Sequence, residues 1–467
     1  MATPPAFEAI SEAHPELTPT LNILADLLAG EDERALYRLN PFDLAEAHHL
    51  EPRLVVDALL RATHAGVFQL SWGLVCRGCG SVVESFRSLG ALDNHFFCPD
   101  CAKDKESVLD DSVDVAFTVH PDVRAIRFHN AHGLPLEEYF YEAYFGTNIL
   151  MRDTGERFVD YLRSTEAFMA VIPAGTSHTV ELELTEGVLV GTPRHKLFIE
   201  GEPTTETREV TLSFLEALFD PYGDTLAPGP VRITVDNPTG TEVRMFSYIA
   251  DRVPYFAYRR FLSGADLLNN RTFRTLFKDQ LLDISDAMPV RDVTLLFTDL
   301  TGSTAFYEKV GDARAFELVT EHFRRLSDII GVHGGTIIKT MGDAVMASFS
   351  APVDAVRAAL SGLRAIASFN REVGQDGPAL SLKVGVHRGP SIAVTVNDNV
   401  DYFGQTANIA ARVQGCANAD ELCFSDAVYG DEKAHKVLAA YGDLPTEAVA
   451  LKGVSEPTLI RRVKGSG

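Results

Sequence analysis

Phe297-Thr298-Asp299-Leu300-Thr301-Gly302-Ser303-Thr304, Lys339-Thr340-Met341-Gly342-Asp343 and Asp401-Tyr402-Phe403-Gly404-Gln405-Thr406-Ala407-Asn408-Ile409-Ala410-Ala411-Arg412 lie in the last third of a 467-residue chain. The first two stretches each close an apolar, strand-like run with an aspartate, as a divalent-cation site needs. The third carries an acid, an amide and a guanidinium at near-helical spacing. Around them the pattern reads strand (Val293–Phe297), helices (about 305–333), a hairpin (Thr336–Thr340 and Ala344–Phe349) and a helix (Val353–Asn370). A strand (Leu380–Val386) and a further one near Ile392–Val396 follow. This β-α-β-β-α-β order predicts a ferredoxin-like arrangement. It puts Asp299 just past the first strand and Asp343 in the hairpin turn, where neighbouring strands can bring the two carboxylates together.

Those carboxylates are hard oxygen ligands suited to Mg²⁺ or Mn²⁺. Two such ions, roughly 3.5–4 Å apart, can activate an attacking oxygen and stabilise a leaving one. The small residues after Leu300 (Thr301, Gly302, Ser303) let backbone N–H groups approach phosphates at a helix start. Asn408 and Arg412, four apart, share a helix face.

Together the three stretches resemble the catalytic domain of class III adenylyl cyclases over about residues 291–467, a domain whose palm-type fold is ferredoxin-like. The resemblance implies conversion of ATP to 3′,5′-cyclic AMP and pyrophosphate. It assigns two Mg²⁺ or Mn²⁺ ions to Asp299, Asp343 and the backbone of Leu300, and base recognition to Lys339 and Asp401. It gives Asn408 the orientation of the ribose and Arg412 the stabilisation of the transition state. Leu451-Lys452-Gly453-Val454 resembles the family's terminal phosphate-contacting segment, which makes Lys452 a substrate ligand. A lysine can donate to adenine N1 and an aspartate can accept from the exocyclic amine. Guanine would mispair with both, and guanylyl relatives place glutamate and cysteine there. Arg388 stands two positions before Pro390, where some relatives have an arginine, and receives no role. In the family the metal aspartates of one chain face the lysine, aspartate, asparagine and arginine of another. The implied assembly is a head-to-tail homodimer with two composite sites.

The bulk composition fits a folded multidomain α+β protein: 46% hydrophobic, 23% charged, with 42 basic against 65 acidic side chains and a formal charge of −23. That sign argues against nucleic acid or anionic lipid as a partner. No stretch has the apolar length of a membrane span and no secretory pattern opens the chain, so a cytoplasmic location is expected. Cys76-Arg77-Gly78-Cys79 and Cys98-Pro99-Asp100-Cys101 are paired knuckles that predict one closed, structural Zn²⁺ site. Cys416 and Cys423 read as buried apolar residues.

Ahead of the cyclase-like domain we expect four regions. Residues 1–75 read as a helical, winged-helix-like segment, with Leu21, Leu24, Leu27 and Leu28 on one helix face. In it, short helices at Phe42–Ala47 and Pro52–Ala65 lead to a strand at 67–72. A zinc ribbon (76–110) follows. Next comes a β-sandwich-like regulatory module (111–253), with strands at Asp114–Val119, Phe168–Ile172, His178–Leu184, Glu209–Phe214 and Val231–Val235. A helical linker (254–290) is capped by Ser263 and striped by Phe273, Leu276, Phe277 and Leu281. The linker either packs on the β module or pairs two chains as a signalling helix. His120, His129 and His132 read as surface or capping residues. This arrangement resembles an uncharacterised domain that precedes some bacterial cyclases, and implies control by an unknown ligand or protein. Two other readings compete with a regulated cyclase: a catalytically silent nucleotide-binding dimer, and a zinc-ribbon winged-helix DNA-binding regulator. The second is opposed by Glu51 and Asp57 on its would-be recognition helix.

Overall fold

The computed structural model describes residues 4–215, 218–251, 255–280, 287–301, 311–373, 380–396 and 399–465. The chain divides into two units. Met1–Arg87, His95–Ser107 and Ser112–Leu262 form the first; Ser88–Asn94, Val108–Asp111 and Ser263–Gly467 form the second.

In the second unit, short helices α1 (Gly264–Leu268) and α2 (Arg271–Leu276) precede strand β1 (Met288–Thr301). Helix α3 (Asp312–Val332), the hairpin β2 (Thr336–Met341) and β3 (Ala344–Phe349), and helix α4 (Pro352–Val373) follow. The chain continues through β4 (Ser381–Val396), β5 (Asn399–Phe403), α5 (Gln405–Gly415), β6 (Glu421–Ser425), α6 (Glu432–Leu438), β7 (Glu447–Val449) and β8 (Thr458–Lys464). The sheet order is β2-β3-β1-β4-β6-β8-β7, with β5 folded back on β4. β1 is antiparallel to β3 and to β4, and β2 is antiparallel to β3. β1 and β2 therefore run the same way with β3 between them, the split β-α-β that the element order predicts.

The apolar stripes of α3 (Leu318, Leu326, Ile330) and α4 (Val356, Leu360, Leu363) bury themselves with Leu296, Val345 and Val384 of the sheet in one core. Each such side chain contributes about 1.5–3 kcal/mol, so Leu296→Ala should cost about 2–5 kcal/mol.

Two local expectations are corrected. Asp299 is not past the end of its strand: β1 runs on to Thr301, with Asp299 opposite Lys383, because Leu300 is still buried and paired with Leu382. The separate strands at 380–386 and 392–396 are one, β4. Its Gly389-Pro390-Ser391 stays in the ladder because β1 bulges between Val290 and Val293, opposite the proline. Gly302 and Ser303, and the helix start expected near 305, lie outside the described residues.

In the first unit, helices Pro5–Ala13 and Thr18–Ala29 bury Leu21, Leu24 and Leu28, with Leu27 half-buried at the edge of that face. Helices Pro41–Ala47 and Pro52–His64 lead into strand Phe68–Val75, and Asn40 caps the first of them by accepting from Phe42 N–H. Strand Val113–Val119, expected in the β module, instead pairs with Phe68–Val75, and all seven of its residues are buried. The module itself has two sheets. One joins Glu166–Ile172, Gly187–Thr192, His195–Ile199, Asp224–Leu226 and Val243–Ala250; the other joins Thr176–Leu184, Arg208–Leu215, Leu218–Asp220 and Gly229–Asn237. Ile172, Leu189, Leu197 and Met245 from one meet Leu184, Leu212, Ile233 and Val235 from the other in a shared core.

The linker is not helical throughout, since Phe256–Tyr258 is a strand. Ser263 caps α1 in a reciprocal bond with Asp266, and Asn270 caps α2. Phe273 and Phe277 are buried and stacked at 5.3 Å, Leu276 is half-buried, and Leu281 lies outside the described residues.

Candidate active site and metal centre

The turn between β2 and β3 is two residues long, Gly342-Asp343, and Gly342 adopts φ +64°, which favours glycine. That turn projects Asp343 next to Asp299 of β1. Burial raises the Asp299 carboxyl above its ordinary pKa, and the charge of Asp343 raises it further; Lys383 and Gln414 oppose the shift. Two carboxylates side by side, the charge of one raising the pKa of the other, form a donor set that a divalent cation fits, with oxygen ligands only. Buried His322 sits close enough to feel Asp343, yet desolvation holds its imidazole at about 4.

Lys339 on β2 and Asp401 on β5, 62 residues apart, meet in an ion pair at 2.6 Å. The second carboxylate oxygen of Asp401 accepts from the Tyr402 N–H at 2.8 Å. Both strands are braced from α1 and α2. The Tyr402 hydroxyl donates to Asn269 Oδ1 at 2.9 Å, the Thr336 hydroxyl donates to the Asn269 carbonyl, and Arg274 Nη2 donates to the Val400 carbonyl at 3.0 Å. These bonds tie residues 264–276 of the linker to the catalytic sheet, while its strand Phe256–Tyr258 pairs with Ile149–Met151, inside the region expected as the β module.

Helix α5 carries Asn408, exposed, and Arg412, half-buried, one turn apart. Gly385 of β4 lets this helix come close, because a Cβ there would stand 2.2 Å from the Gln414 nitrogen. A Cβ on Gly453 would be 3.8 Å from Arg412 Nη2, so the Leu451–Val454 turn lies beside that guanidinium. Leu451 packs with Val413 of α5, while Lys452 is exposed. Asn408, Arg412 and Lys452 form no side-chain ion pair or hydrogen bond among the described residues. Arg388, by contrast, is engaged by Asp292 and, at 3.9 Å, by Asp431. Cys423 is buried and its thiol pushed up to about 12; Cys416 is only half-buried.

Sequence reasoning passed over Gly385, Asn269, Tyr402 and Arg274. Gly385 interrupts the apolar run Val384–Val386, a signal of close backbone approach. Nothing in the sequence singles out Asn269 from Asn270 beside it.

In the first unit Cys76, Cys79, Cys98 and Cys101 bring their sulfurs within 4.8 Å of one another. The Cys76–Cys101 and Cys79–Cys98 separations are both 3.6 Å. That is far too long for a disulfide at about 2.05 Å, and close to the roughly 3.8 Å edge of a sulfur tetrahedron around Zn²⁺ at ~2.3 Å. Asp100, inside the second knuckle, accepts from Thr192 at 2.6 Å and Tyr144 at 2.8 Å, which fastens the knuckle to the sandwich. A cavity of about 750 Å³ opens beside it, lined among others by Asp100, Thr192, Lys196 and Tyr248. His129 bonds locally, to the Val119 carbonyl and the Ile126 N–H, as a capping residue does.

Residues 286–446 match the adenylate and guanylate cyclase catalytic domain. The second unit therefore carries a class III adenylyl/guanylyl cyclase catalytic domain. Residues 9–275 match a family of unknown function, DUF5939, and the chain belongs to that family. Adenylate cyclase 1 of Rhizobium meliloti (strain 1021) is 30% identical over 137 residues, which cover 27% of this chain and 21% of that protein. The adenylate cyclase of Anabaena cylindrica is 32% identical over 140 residues, covering 28% of each. The crystal structure of the adenylyl cyclase CyaB from P. aeruginosa aligns with 39% of this chain and 97% of its own, at 24% identity and a TM-score of 0.33. The matches span about a quarter of the length of these curated relatives. Among the described residues no helix is long and apolar enough to cross a membrane.

Proposed function

We propose that the protein is an adenylyl cyclase that converts ATP to 3′,5′-cyclic AMP and pyrophosphate at sites shared between two copies of the chain. The observation that carries the base choice is the Lys339–Asp401 pair at 2.6 Å. It offers a donor and an acceptor side by side, matching adenine N1 and the 6-amino group. Guanine presents an N–H and a carbonyl there, which would leave both protein groups opposed by like partners.

Asp299, Asp343 and the Leu300 backbone hold the divalent cations in this reading. When bound, two Mg²⁺ or Mn²⁺ ions activate the ribose 3′-oxygen and neutralise the leaving pyrophosphate. The Thr301-Gly302-Ser303 backbone receives the phosphates, Asn408 orients the ribose, and Arg412 supplies fixed positive charge to the pentacovalent phosphorus. Lys452, carried on the turn beside Arg412, extends that charge toward the phosphates. The exposure of Asn408, and the lack of side-chain partners for Asn408, Arg412 and Lys452 among the described residues, support a site completed by a second copy, in a head-to-tail homodimer. The four-cysteine cluster holds a structural Zn²⁺, and the adjoining 750 Å³ cavity supports a regulatory role for the first unit through a small-molecule ligand. A cyclase assay with ATP and GTP in parallel, in Mn²⁺, tests the reading. Cyclic AMP formed well in excess of cyclic GMP is expected; GTP as the better substrate would overturn the base assignment.

A further inference from the structure

Arg271, Arg274 and Lys278 stand three and then four residues apart, so they share one face of α2 and the turn after it. They line a cavity of about 280 Å³ whose other polar walls are Thr275 of α2, Ser327 of α3, Thr336 of β2 and Asn399 of β5. Among the described residues lining it there is no carboxylate, in a chain whose formal charge is −23. The nearest acid along α3, Asp328, is engaged by Arg324 at 3.2 Å. Neither the Arg271 guanidinium nor the Lys278 ammonium has an ion pair or hydrogen bond among the described residues. Arg271 leans over Gly331 of α3, its Nη1 3.1 Å from where a Cβ would be, and so is held at the cavity wall.

Arg274 is the informative member. Its Nη2 donates to the Val400 carbonyl, but its Nη1 is buried with no hydrogen-bond partner among the described residues. A buried, charged N–H without an acceptor is costly. Burial pushes the Arg274 pKa down, with Tyr402 and Asp401 pulling it back up. Three cations around one concavity also repel each other. An oxyanion with two negative charges would satisfy the orphaned Nη1 and neutralise Arg271 and Lys278 together, in the fork geometry that guanidinium groups suit. At about 280 Å³ the cavity sits at the small end of ligand sites and has room for a phosphate or pyrophosphate.

We propose that this cavity is a binding site for a small phosphate-class oxyanion, inorganic phosphate or pyrophosphate, separate from the nucleotide site. Because Arg274 is bonded to Val400, the neighbour of Asp401, the anion acts on the strand that presents the base-selecting carboxylate. The proposal stands on the cavity and is read by binding, so its failure is distinguishable from failure of the cyclase reading.

The test titrates the full-length protein with inorganic phosphate, and in a second arm with pyrophosphate, at constant ionic strength set with chloride. Binding is read by calorimetry and by the shift in thermal midpoint. Arg271→Ala/Lys278→Ala removes two exposed cations outside the catalytic machinery, and with their mutual repulsion relieved its midpoint in chloride alone should be no lower than that of the parent. The variant should bind at least roughly tenfold more weakly, while Arg271→Lys alone, which keeps the charge but not the fork, should bind with an affinity between the two. Loss with the double variant in the phosphate arm identifies phosphate as sufficient; loss only in the pyrophosphate arm identifies the diphosphate. Equal binding by parent and double variant in both arms would assign the anion to the nucleotide site and overturn the proposal, as would no binding by the parent at tens of millimolar.

Discussion

The two candidate metal sites of this molecule are built in opposite ways. The cysteine site in the first unit is closed: all four sulfurs come from one stretch of 26 residues, two of them fully buried, and Asp100 within it is fixed by two hydroxyl donors. The candidate catalytic groups in the second unit are open. They come from β1, β2, β5, α5 and two turns, and Asn408, Arg412 and Lys452 find no partner among the described residues. A closed set holds a structure together and leaves no coordination position for substrate. An open set retains free donors for a ligand and, in this account, for a second chain.

The contrast can be broken most forcefully on the open side. Arg412→Ala should lower cyclase turnover by roughly 10²–10³-fold, the effect of losing a preorganised charge, with little change in thermal stability. A turnover within a few-fold of the parent would remove Arg412 from the chemistry. On the closed side, Cys98→Ser should abolish one equivalent of zinc per chain in elemental analysis. It should also destabilise the first unit by on the order of 5 kcal/mol. Full zinc content in the variant would contradict the four-ligand site. Next in size, Lys339→Glu with Asp401→Cys should move nucleotide preference toward GTP by roughly 10²-fold; an unchanged ATP-to-GTP ratio would separate the pair from base choice.

The smallest expected effect concerns pH. Burial holds His195 of the sandwich and His322 and His387 of the catalytic unit at about 4. Their ordinary value in an unfolded chain is about 6.5. Between those values the unfolded chain binds more protons than the folded one, so stability should fall as pH drops from about 6.5 to about 4. Asp299, raised by burial and by Asp343, opposes this trend, as do Asp43, Asp110, Asp114 and Glu142, all raised by burial. Denaturant titrations across that window should therefore show a shallower decline for His387→Gln than for the parent; equal pH slopes would contradict the burial argument.

How much could be read beforehand follows the same division. The cysteine knuckles were legible because ligand and turn are local in sequence. The β1–α3–β2–β3–α4–β4 pattern was legible because amphipathic periodicity and apolar runs alternate clearly. Asp299 was misplaced relative to its strand because the buried pairing of Leu300 with Leu382 is a tertiary fact. The sandwich strands Gly187–Thr192 and His195–Ile199 were missed because glycines, a proline and charged residues interrupt their alternation. Val113–Val119 was assigned to the wrong sheet because strand pairing across about 40 residues leaves no mark in local pattern. Least legible were the braces Asn269 and Arg274, whose partners lie over 60 and 120 residues away and which carry no spacing signature.

The central claim, that one chain does not hold a complete catalytic site, has a direct test. Asp299→Ala and Asn408→Ala proteins, each expected to be inactive alone, are mixed under conditions of subunit exchange and assayed for cyclic AMP. Heterodimers would contain one intact site, so activity should return to roughly a quarter of the parent level, given random exchange and additive composite sites. A mixture as inactive as its components, with exchange verified, would contradict the account.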